Sequence, residues 1–140
     1  MKFTEAFESL GYNVESPRQD WSAVSEHGVC ITIWQKEMAW DHGVPYLDSR
    51  IHGNPHQEWA AKPGNHKRIR HLSQAMQNFN GKVDVVIVNG TPGQSYEDAH
   101  PWVASERKAY WQIEFFDPET GHFVARAKKA ITENSPKGPE

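Results

Sequence analysis

Two apolar runs, Val29–Trp34 and Val83–Val88, stand on either side of one periodic stretch, His66–Asn80, and that order leaves the chain few folds to choose from. Both runs are apolar at nearly every position, the pattern of a strand covered on both faces. Between them Ile69, Leu72, Ala75, Met76 and Phe79 recur at helical spacing. Asn65 suits the start of that helix and Gly81 its end. Strand, helix, strand allows the two apolar strands to run parallel through a long right-handed crossover.

Other elements attach to this centre. Residues Thr4–Leu10 read as a two-turn helix with Phe3, Phe7 and Leu10 on one face, followed by Gly11. A helix of that length is marginal alone and must dock to persist. Trp21–Ser25 and Val29–Trp34 form a hairpin around Glu26-His27-Gly28, and Tyr110–Phe116 and His122–Ala127 a second around Asp117–Gly121. Alternation in the latter places Trp111, Ile113 and Phe115 on one face. Residues 36–64 and 89–105, punctuated by glycine and proline, read as long loops. The expected fold is α+β: a single mixed, mostly antiparallel sheet of about five strands packed on one long and one short helix. Residues 1–131 are expected to form one globular domain, with a disordered tail at 132–140.

The single cysteine, Cys30, sits inside an apolar strand and reads as a small buried hydrophobe. No run is long enough to span a bilayer, and Glu5 and Glu8 fall where a signal peptide needs apolar residues. A soluble, cytoplasmic protein with no membrane partner is the expectation. The net charge of −3 gives no global basic field, so any contact with nucleic acid needs a local patch.

That patch is His66-Lys67-Arg68-Ile69-Arg70-His71, where a helix start, basic side chains and free backbone donors coincide. Trp40, Tyr46, Trp59 and Trp102 lie in the loop stretches, where a ring can stack on a base for about 1–3 kcal/mol. Lys67, Arg68, Arg70, Trp40, Tyr46, Trp59 and Trp102 are therefore the expected ligand-binding residues. Arg68 and Arg70, two residues apart, point about 200° from one another on a helix. The plainer reading has the rings filling the core and the charges solvating a helix face.

Two further arrangements fall short of a motif. His52 and His56 are four apart, but Gly53 and Pro55 between them leave no regular helix to hold both, and His66 and His71 are five apart, a poor spacing for one face, so neither pair makes a zinc site. Asp84 and Glu114 are placed on strands like the paired carboxylates of a metal-dependent nuclease, yet Phe116 stands where the lysine belongs. No cofactor and no metal is called for. The function expected is a small binding module for a nucleotide or nucleic acid. A metal-dependent hydrolase or nuclease, and a homodimeric accessory protein that binds another protein, are the alternatives, and whether the chain is an enzyme stays open.

Overall fold

A computed structural model of the chain describes residues 1–129. The tail expected at 132–140 lies outside the described residues. Helix α1 (Phe3–Ser9) leads into β1 (Ser22–Ser25) and β2 (Gly28–Trp34), then β3 (Ala39–Asp41) and β4 (Val44–Asp48). The long α2 (Pro63–Asn78) follows, then β5 (Lys82–Thr91), β6 (Ser95–Pro101), α3 (Ala104–Arg107), β7 (Ala109–Phe116) and β8 (Phe123–Lys129).

The expectation of about five strands and two helices is overturned: the described residues form one mixed sheet of eight strands with three helices. The extra elements are short or polar. Strand β3 has three residues, β4 five with Pro45 among them, and β6 buries fully only Ala99. Stretches this short carry too little periodicity to stand out from loops.

The order across the sheet is β1-β2-β5-β7-β8-β4-β3, and β6 also pairs with β5. Strands β2 and β5 run parallel, with Cys30 opposite Asp84 and Trp34 opposite Val88. The other edge of β5 is divided. Lys82 and Val83 pair with β7, and Val86 to Thr91 pair with β6.

The two central strands bury both faces, as their unbroken apolar runs require. On one face Val29, Ile31 and Ile33 of β2 with Val83, Val85 and Ile87 of β5 join Leu72 and Ala75 of α2 in the main core. On the other, Cys30, Val86 and Val88 pack with Ala6 and Phe7 of α1, Tyr12 and Ala99. The short α1 is held by this docking, and the Glu5 side chain accepts from the backbone N–H of Lys2 at its start.

Two local readings need correction. Asn65 does not cap α2; the helix begins at Pro63, whose missing N–H costs nothing in the first position. Asn65 is instead buried in the first turn, where its Nδ2 donates to the carbonyls of Ala60 and Thr120. Phe115 leaves the face of Trp111 and Ile113 because the β7–β8 register shifts at Glu114. One extra residue reverses the alternation, so Phe116 packs against the core while Phe115 is 39% exposed beneath the Arg50 guanidinium.

Candidate functional site

A groove of about 350 Å³ opens on the α1 side of the sheet, over the carboxyl-terminal halves of the parallel pair. Its floor is Thr32 and Trp34 at the end of β2 and Val88 late in β5. Alternation puts these on the same face as Cys30 and Val86. Phe3 of α1, Trp21 just before β1 and Tyr96 of β6 form walls, and Pro17 and Arg18 stand at the rim. Crevices outside the carboxyl ends of parallel strands are where α/β sheets usually bind ligands.

Each wall has a local cause. A tight turn at Ser16 presents Pro17 and Arg18: the Ser16 carbonyl accepts from the N–H of Gln19 and of Asp20. Asp20 locks the turn, its Oδ2 accepting from Ser16 N at 3.0 Å and from Lys67 Nζ at 2.9 Å. Tyr96 reaches the groove through a bulge. Val88 pairs with Ala99 and Asn89 with Asp98, but Gly90 pairs with Tyr96, leaving Glu97 unopposed. The extra residue turns Tyr96 onto the face of Ala99. Gly90, at φ +137°, permits the turn, since a Cβ there would collide with the Ser95 carbonyl oxygen. The Tyr96 hydroxyl then donates to the Met1 carbonyl, and its ring meets Phe3 edge-on at 6.4 Å.

The charge balance of the groove is simple. Asp20 is buried and already bonded to Lys67, so its charge is answered. Arg18 is exposed and has no ion-pair partner among the described residues. Burial, with Asp98 second, holds the Tyr96 hydroxyl above the ordinary tyrosine range, so it stays neutral and able to donate. The groove offers apolar ring faces and one free cation.

The residues expected from sequence are scattered. Lys67 is bound to Glu15 at 2.7 Å and Asp20 at 2.9 Å, which raises its pKa and depresses that of Glu15. Arg70 is exposed on the far side of α2. Trp102 belongs to the core, 6% exposed, with its Nε1 donating to the Ala109 carbonyl and its ring edge-on to Trp111. Trp40 is 64% exposed on β3, at the edge of the sheet. Tyr46 carries the Arg126 guanidinium 4.5 Å above its ring. Only Arg68 and Trp59 meet, with the guanidinium carbon 5.5 Å from the Trp59 ring.

The carboxylates and histidines have local partners. Asp84 accepts from the Tyr12 hydroxyl at 2.6 Å, and Glu114 accepts from Arg126 and Lys128. His52 Nδ1 accepts from the Asp48 N–H, and His56 Nε2 lies 2.8 Å from the Thr120 carbonyl. His71 is buried on α2, with Nδ1 2.8 Å from Ser22 Oγ. That pair borders a small polar cavity of about 70 Å³ between β1 and α2. Among the described residues no three histidine, cysteine or acidic side chains gather as metal ligands.

Sequence reasoning missed Phe3, Arg18, Trp21, Trp34 and Tyr96. One signal was available: Trp34 ends a strand expected to be parallel to its neighbour, the position where such sheets bind ligands. No protein-family model, curated protein or solved structure matches this chain.

Proposed function

We propose that this domain is a binding module whose ligand is a nucleotide or a short single strand of nucleic acid, held in the aromatic groove. The observation that carries the reading is the meeting of Phe3, Trp21, Trp34 and Tyr96 with the unpaired Arg18 around a 350 Å³ cavity. That volume lies within the range of about 300–1,000 Å³ usual for small-molecule sites. A planar base stacks on a ring without regard to sequence, and Arg18 meets one phosphate. The local field favours few phosphates, because Glu5, Glu97 and Asp98 lie on the elements that build the groove.

Calorimetric titration of the purified protein with mononucleotides and a short oligothymidine tests this. Trp34→Ala should weaken binding by about 1–3 kcal/mol, the worth of one stacked base. Arg18→Ala should flatten the salt dependence by about one phosphate contact. Heat signals that are absent, or equal in wild type and Trp34→Ala, would sink the reading.

A second reading, self-association, draws on Trp40, an exposed tryptophan on an edge strand. Light scattering should then give a mass that rises with concentration, and Trp40→Ser should abolish the rise.

A further inference from the structure

Arg68 is the least explained charge in the molecule. It is 9% exposed, and no carboxylate of the described residues pairs with it. Its Nε has no hydrogen-bond partner among the described residues. Three rings surround it instead, with the guanidinium carbon 4.8 Å from the centre of Phe123, 4.9 Å from Trp21 and 5.5 Å from Trp59. Rings stabilise a cation through their π faces. They supply no lone pair to the five N–H donors in the guanidinium plane, and a buried cation without acceptors is costly.

The surroundings favour a negative guest. Helix α2 begins at Pro63, five residues before Arg68; Asn65 and His66 donate their N–H groups to the Lys62 carbonyl, and with no side-chain cap and no acid the first turn sets no negative charge against the positive end of the dipole. Gly64 in that turn lets Trp21 lie against the helix, since a Cβ there would come within 2.5 Å of the indole ring. Glu37 is close enough for the Arg68 charge to act on it, but burial prevails and leaves its carboxyl above the usual range. Glu37 nevertheless forms no ion pair with Arg68.

We infer that the start of α2 is a site for one small oxyanion, a phosphoryl or carboxylate group, bound by the in-plane donors of Arg68 within the Trp21, Trp59 and Phe123 box. This site adjoins the groove, with Trp21 common to both, but Trp34 lines the groove alone and is not among the rings around Arg68. Lys67 and Arg70 take no part in it.

The test is an NMR titration of the arginine Nε–H signals with inorganic phosphate, acetate and chloride at constant ionic strength. The Arg68 signal is assigned by its loss in Arg68→Lys, or by through-bond correlation to its own backbone, so the titration stands whether or not the variant folds. The Arg68 signal should shift saturably with phosphate or acetate and stay fixed with chloride. A response to phosphate alone assigns a phosphoryl group, and a response to acetate a carboxylate. The melting temperature should climb with phosphate in wild type and Trp34→Ala, and lose that dependence in Arg68→Met. Glu37→Gln should tighten the phosphate response. An Arg68 signal that ignores every oxyanion, or a phosphate-dependent melting temperature unchanged in Arg68→Met, would overturn the inference and leave Arg68 a cation held by its rings alone. Nucleotide binding in the groove is read separately, so either proposal can fail without the other.

Discussion

Lys67 and Arg68 adjoin in sequence and meet different fates in the fold. Lys67 ties the Ser16 turn to α2 through Asp20, and so holds Arg18 at the groove without touching a ligand itself. Lys67→Met should cost about 1.5–3 kcal/mol of stability, the worth of a hydrogen bond between charged groups, as measured by urea unfolding. His71, one turn further on, is buried, and burial followed by Lys67 and Arg70 holds its pKa below 6.5. The unfolded chain therefore takes up that proton first as the pH falls. Stability should decline from about pH 6.5 downward with a slope of at most about 1.4 kcal/mol per pH unit, and level off once the folded imidazole is itself protonated. His71→Gln should remove that part of the slope; unfolding curves above and below pH 6.5 that stay parallel to wild type would contradict the assignment.

Among elements, the β5–β6 bulge shows how much one residue of register decides. Gly90→Ala would force a side chain against the Ser95 carbonyl and into a backbone conformation that L residues rarely adopt. A loss of about 1–3 kcal/mol, as for other overpacked sites, should accompany a weakened groove, because Tyr96 would swing toward solvent. Calorimetry on a folded Gly90→Ala chain with unchanged ligand affinity would refute the link. Bulges have no hydropathic signature, and this is why the sequence misled at Phe115 and was silent at Tyr96. The hairpins, α2 and the central strands were legible because several consecutive residues repeat one burial pattern. Strands β3, β4 and β6 were not, since their residues are few, polar or interrupted by proline. The groove was illegible for a different reason: its walls come from α1, the Ser16 turn, β2 and β6, and no local pattern records contacts so far apart in the chain. Arg68 beside Trp59 was the one contact between expected site residues that the fold made.

At the scale of the molecule, order should fall away from the centre of the sheet. Strands β2 and β5 are covered on both faces, whereas β3 has three residues and, among the described residues, β4 as its only partner. Native-state hydrogen exchange should therefore be slowest at Ile31, Val85 and Val86 and fastest in β3, and uniform protection across the sheet would contradict this packing. No helix among the described residues is long and apolar enough to cross a membrane. The same central position gives Cys30 a practical use. It is the chain's single thiol, it is fully buried between α1 and the parallel pair, and burial followed by Asp84 pushes its pKa well up. Alkylation must therefore wait for the central strands to part, and each molecule can react only once. Mass spectrometry of the labelling time course thus gives a one-site clock for the opening of the whole domain, with no probe to introduce.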